Sequence, residues 1–185
     1  GSGLRVTELG AGTGLLAIRL ASLGAIVTAT DQRGMLGLIV RNIAMNRRRL
    51  LTPSSSVRLD VEAEELDWEE PPAHLPPTDL VIGSDLIYDD RYHASLLRIL
   101  LRYAEVGVRS VLAWEQRKPR QEAAFLQQAE EMGLRHKTLA DHTRSRDASF
   151  AHIDNLGAGS EPRFLVVEFG MQGSQQPINH SDCPI

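Results

Sequence analysis

Hydrophobic positions along the chain follow two periods that take turns. Short apolar runs at Arg5–Leu9, Ile26–Thr30, Leu80–Gly83 and Ser110–Trp114 have strand length and strand composition. Between them, apolar residues recur at helical spacing. Leu16, Leu20 and Leu23 share one face of a helix that Gly24 ends, and Leu36, Ile39, Val40 and Ile43 share another. Leu96, Ile99, Leu100 and Tyr103 repeat the spacing, as do Phe125, Leu126, Ala129 and Met132 ahead of Gly133. Val57–Val61 reads as a third strand and Phe164–Phe169 as the last, with its partner at Leu134–Leu139 or Phe150–Ile153. Strand and helix alternate until the end, where two strand-like stretches follow one helix. The pattern predicts an α/β, doubly wound, mostly parallel sheet of seven strands with helices on both faces and an antiparallel terminal hairpin.

At 185 residues the chain fits one domain, expected over residues 3–171. Residues 172–185 are rich in Gly, Gln, Ser and Pro and read as a disordered tail. Asp141–Ser149 and Gly157–Pro162 read as polar connections. The formal net charge of -4 gives no global pull towards nucleic acid. The cluster Arg47–Arg49 reads as a solvated helix end. Cys183 is the single cysteine, so no disulfide can form within the chain. That suits a reducing compartment, the cytoplasm or the nucleus. No apolar run approaches the ~18 residues that span a bilayer, and the histidines lack metal-ligand spacing. Gly1 and Ser2 read as a cloning remnant, and the first strand starts at once, so upstream sequence is expected.

The candidate chemistry begins at "ELGAGTG", Glu8–Gly14. In a doubly wound sheet, ligands sit beyond the carboxyl ends of the strands, where this turn lies. Gly10 permits a tight turn, and Gly12 lets a ligand approach the backbone. Asp31 closes the second strand 21 residues after Gly10, where a carboxylate can accept hydrogen bonds from two ribose hydroxyls. A dinucleotide site would carry G-x-G-x-x-G, but the third glycine position holds Leu15. The spacing is G-x-G-x-G, preceded by Glu8, whose carboxylate suits the ammonium group of an amino-acid ligand better than a pyrophosphate. S-adenosylmethionine (SAM) has that ammonium, a ribose and an adenine. The alternative role for Glu8 is to fix the turn.

Here the chain resembles the seven-strand, class I methyltransferases, which have a Rossmann-like fold. It is most similar to the non-histone protein lysine methyltransferases, the group around the valosin-containing-protein lysine methyltransferase. The likeness is carried by "ELGAGTGLLAI" from Glu8, "VTATD" ending at Asp31, "NIAMN" from Asn42, "LDW" at Leu66–Trp68, "SDLIYDDRYHASLL" from Ser84 and "EQR" at Glu115–Arg117. The first stretch marks only the superfamily; "LDW" together with D-x-x-Y after the fourth strand is more specific.

The resemblance implies a role for each matching position. Gly10, Ala11 and Gly12 would line the methionine part of SAM, and Asp31 would hold the ribose. Trp68 would pack beside the adenine, or serve as plain core. Ser84 would meet the cofactor through its backbone. Asp85 and Tyr88 would face the transferred methyl group and an incoming protein lysine; the plain alternative is that Asp85, Asp89 and Asp90 cap a helix. Relatives also carry a segment before the first strand that covers the cofactor.

The N-P-P-aromatic element of enzymes that methylate base or glutamine amines is replaced by "SDLIY", which argues against those acceptors. The expected function is methyl transfer from SAM to a protein lysine. A small-molecule or nucleic-acid acceptor stays open, as does a partner-binding module without turnover.

Overall fold

The computed structural model describes residues 3–50, 59–143 and 163–171. The elements run β1 (Arg5–Leu9), α1 (Leu15–Ser22), β2 (Ile26–Asp31), α2 (Arg33–Leu50), β3 (Val61–Glu65), β4 (Leu80–Ser84), α3 (His93–Glu105), β5 (Arg109–Glu115), α4 (Pro119–Glu131), β6 (Arg135–Thr143) and β7 (Arg163–Gly170). They form one seven-stranded sheet in the order β3-β2-β1-β4-β5-β7-β6. Every pair from β3 to β5 is parallel, and β7 runs antiparallel to both β5 and β6. The doubly wound sheet and its antiparallel ending are as the hydrophobic pattern predicts.

Two apolar clusters cover the two faces. Ala17, Ile18 and Ala21 of α1 and Ile39 and Ile43 of α2 meet Val6, Val27, Ala29 and Val61 on one face. On the other, Leu96, Leu97, Ile99 and Leu100 of α3 and Phe125 of α4 meet Leu9, Val81, Leu112 and Val167. Each fully buried Leu, Ile or Phe contributes roughly 1.5–3 kcal/mol, so the α3 face alone fixes how that helix sits.

Three sequence expectations need correction. The third strand is Val61–Glu65, not Val57–Val61. Val61 pairs with Val27 and Glu65 with Asp31, so β3 starts at the residue where the expected third strand ended. Its sequence, VEAEE, is sparse in apolar residues because it is an edge strand whose solvent side takes glutamates, which also discourage pairing with another chain. In α1 the leucine stripe is not the buried stripe: Leu23 is 56% exposed, while Ala17 and Ala21 are fully buried. Small residues face the sheet because they let the helix backbone come close. In α2, Val40 is 54% exposed and only Ile39 and Ile43 of the expected face are buried.

The terminal hairpin uses the Leu134–Leu139 candidate, extended to Thr143. The other candidate, Phe150–Ile153, lies outside the described residues, as do Gly157–Pro162, most of Asp141–Ser149 and the expected tail with Cys183. Among the described residues, no helix is long and apolar enough to cross a membrane.

Candidate functional site

Every candidate residue lies at or beyond the carboxyl end of a parallel strand. Glu8 is the penultimate residue of β1 and Gly10 follows it, Asp31 ends β2, Trp68 lies beyond β3, and Ser84 and Asp85 close β4; Glu115, to which sequence reasoning assigned no role, ends β5. Parallel pairing therefore gathers all of them at one edge of the sheet. The strand order reverses between β1 and β4, and that is where a doubly wound sheet opens a crevice.

The glycine turn is built on left-handed backbone. Gly10 and Gly12 have φ of 58° and 57°, which side chains rarely tolerate. Their surroundings differ. A Cβ on Gly10 would stand 2.6 Å from Leu86 Cδ2 and 3.4 Å from Trp68 Cζ2, whereas one on Gly12 meets nothing within 4 Å. Gly10 is thus roofed by neighbours, and Gly12 faces open space where a ligand can approach.

Carboxylates hold this turn. Asp31 Oδ2 accepts the Gly12 N–H at 2.8 Å, and Oδ1 accepts the Gln32 N–H at 2.8 Å. Each oxygen keeps acceptor capacity for a ribose hydroxyl. Glu8, only 4% exposed, accepts the Ala17 N–H at 2.9 Å and ties the start of α1 to β1. Burial pushes its carboxyl up to about 7, against the bond from Ala17 and with help from the negative Asp31. Asn42 of α2 donates to the Thr13 carbonyl at 2.8 Å and closes the turn from the other side.

Trp68 is half-buried and packs on the α3 cluster, while its ring edge reaches Gly10. The core role and the turn-lining role therefore coincide in one side chain. An open glycine, a carboxylate with spare lone pairs and an indole beside the turn fit a nucleoside, while Glu8, expected to meet an ammonium group, is buried and fixes the turn through Ala17.

The second half of the site hangs on β4 and β5. Ser84 is exposed and in register with Ala113. Asp85 has φ of 60°, the one non-glycine with positive φ among the described residues, and its N–H donates to the Ala113 carbonyl at 2.7 Å. Strain of this kind collects at functional positions. The Asp85 carboxylate lies 3.0 Å from Arg117 Nη2. Helix capping falls instead to Asp89, which accepts the Arg91 N–H ahead of the short turn Asp90–Tyr92. Tyr88 is 62% exposed, and its carbonyl accepts from Lys118 Nζ at 3.0 Å. Asp85 and Tyr88 share one cavity wall with Trp114 and Glu115. No set of three metal-ligating side chains converges among the described residues.

Sequence reasoning assigned no role to five residues that shape this site, one of them Glu115 at the end of β5. Leu86 wedges against Gly10 and Gly83. Asn42 and Arg117 sit inside stretches that carry the resemblance, but spacing gives no partner for either. Glu122 is buried to 4% exposure and accepts the backbone N–H groups of Arg117 and Lys118 at 2.8 and 2.7 Å. Its signal was available: an acidic residue in the first turn of a helix that begins with proline.

A sequence model of a family described as lysine methyltransferase matches residues 1–132. The protein N-lysine methyltransferase METTL21A of Danio rerio is 38% identical over 100 residues, 53% of this chain and 43% of that protein. The EEF1A lysine methyltransferase 3 of Xenopus tropicalis is 34% identical over 86 residues, 46% and 35% of the two chains. Each match thus spans less than half of the relative. Among solved structures, a TehB-like SAM-dependent methyltransferase from Corynebacterium glutamicum superposes with a TM-score of 0.55 at 18% identity, covering 93% of this chain and 82% of the other. The magnesium protoporphyrin IX methyltransferase of Synechocystis, solved with SAM bound, gives 0.56 at 19% identity over 92% and 71%. At those identities the likeness is one of fold.

Proposed function

The chain belongs to the lysine methyltransferase family, and from that premise we propose that it transfers a methyl group from SAM to a lysine side chain of a protein. One observation carries the reading: two carboxylates, Asp85 and Glu115, close neighbouring strands beside a glycine turn whose Gly12 stands open. A site that must admit both a sulfonium ligand and a second cation needs that division.

Gly10, Ala11 and Gly12 would bed the methionine part, Asp31 would accept from the ribose, and Trp68 would flank the base. Ser84 would offer backbone. When bound, SAM supplies a methyl group already activated by the sulfonium charge. The residues of this chain then have to attract, orient and enclose the acceptor amine, and such positioning is itself a large catalytic term.

Asp85 and Glu115 draw the lysine ammonium towards the end of β4, and Tyr88 and Trp114 wall its path. The amine must be neutral to attack, which for a lysine of pKa ~10.4 costs about 4.6 kcal/mol at pH 7. Asp85 favours the charged amine, so its part is capture and orientation, and the released proton goes to solvent. With one cysteine in the chain, the cytoplasm or the nucleus suits this activity.

The test is incubation of the purified protein with tritiated SAM and cell extract. The expected result is label in discrete protein bands that yield methyl-lysine on hydrolysis. Label confined to small molecules or RNA would reassign the acceptor, and no label at all would leave a binding module.

A further inference from the structure

The turn between β5 and α4 is anchored from below. The buried Glu122 takes N–H groups from Arg117 and Lys118, and its second oxygen accepts from Trp114 Nε1 at 3.3 Å. From this fixed base the Arg117 side chain reaches back over the site. Its Nη2 lies 3.0 Å from Asp85 and 2.8 Å from Glu115, and its Nε donates to the same Glu115 oxygen at 3.0 Å. These are the two carboxylates to which the proposed function brings the acceptor ammonium. With Arg117 in place, the cavity among Asp85, Tyr88, Trp114 and Glu115 measures about 40 Å³. That admits a little water but not the end of an alkylammonium chain.

We propose that Arg117 is an internal stand-in for the acceptor cation, and that an entering lysine must displace it from Asp85 and Glu115. The inference rests on the lysine reading of this pocket. Arg117 is a specificity-determining residue: it keeps the two carboxylates paired between turnovers and excludes cations too weakly held to compete. Displacement breaks no buried contact, because the side chain is 54% exposed and the anchor is on the backbone. Lys118, the other cation of this turn, is engaged with the Tyr88 carbonyl and does not share the pair.

The probe is n-butylammonium, a lysine side chain without its peptide, titrated into the protein and followed by amide chemical shifts around Asp85 and Ala113. Arg117→Gln is expected to bind it about fivefold more tightly than wild type, the gain set by loss of a competing exposed ion pair. Arg117→Lys should bind as weakly as wild type, since an ammonium on a similar stem still competes. Adding Asp85→Asn to Arg117→Gln should erase the gain. Equal or weaker binding by Arg117→Gln overturns the proposal, as does a gain that survives the loss of Asp85. Methyl transfer by wild type is assayed separately. If wild type labels no protein while Arg117→Gln shows the gain, Arg117 occupies a cation site on Asp85 and Glu115, and it is the protein-lysine reading of that site that fails.

Discussion

The two halves of the site are held by different forces. Around β1 and β2, carboxylates bind backbone: Asp31 holds Gly12, and the buried Glu8 holds α1. Around β4 and β5, the buried Glu122 also holds backbone, but the two carboxylates at the strand ends, Asp85 and Glu115, bind a long, exposed side chain, Arg117. Backbone bonded to a carboxylate near the sheet has few other places to go, whereas a solvated ion pair exchanges readily. The half proposed to hold SAM is thereby tied to backbone, and the half proposed to take the acceptor rests on an exposed ion pair.

The largest expected effect is on transfer. Asp85→Asn should cut methylation by about a hundredfold or more, around 2.7 kcal/mol, while the SAM dissociation constant stays near the wild-type value. Asparagine tolerates left-handed backbone, so the turn at φ 60° survives and only the charge is lost. Wild-type activity in this variant would remove the acceptor role from Asp85 and merge the two halves into one.

On the cofactor side the largest signature is in stability against pH. The Glu8 carboxyl is raised by burial to about 7 in the folded state, above its unfolded value of 4.5. The folded protein therefore holds this proton more tightly than the unfolded chain does. The resulting stabilisation is fully present below pH 4.5 and is lost as pH rises towards 7. It amounts to about 3 kcal/mol. Glu8→Gln, which can still accept the Ala17 N–H, should flatten the decline in denaturant stability across that window. An unchanged slope would mean that Glu8 is more hydrated than its burial implies.

Asp31→Ala should follow, weakening SAM by roughly ten- to a hundredfold through loss of charge-assisted hydrogen bonds worth about 1.5–3 kcal/mol. Calorimetry reads it directly, and an unchanged constant would move the ribose elsewhere. Smallest is Glu115→Gln, whose exposed pair with Arg117 should alter unfolding free energy by less than about 1 kcal/mol. A larger loss would show that the acceptor half is as rigid as the cofactor half.

The same asymmetry governs what the sequence could tell. The turn, Asp31 and the alternating elements were legible because glycine, strand and helix periods are local signals. For Glu8 the sequence offered a ligand ammonium or a turn-fixing role, which look alike in one dimension, and the bond from the Ala17 N–H favours the second. Arg117 and Glu122 lay in plain view. The pairing of Arg117 with Asp85 depends on β4 and β5 being neighbours, which no local pattern encodes, whereas Glu122 meets Trp114 only eight residues away. Edge strand β3 was misplaced for a related reason: half its surface is solvent, so half of its hydrophobic signal is missing.

The insertion of β7 between β5 and β6 has a consequence for the order in which the protein is made. Synthesis runs from the amino terminus, and domains fold as their chain emerges. Every residue named in the site, from Glu8 to Glu122, leaves the ribosome before Arg163–Gly170 does. Until then β5 is an open edge carrying Trp114 and Glu115, with unpaired backbone that any extended chain could join. A ribosome that stalls short of Arg163 would hold a chain with every named site residue made and the β5 edge of its sheet unsealed.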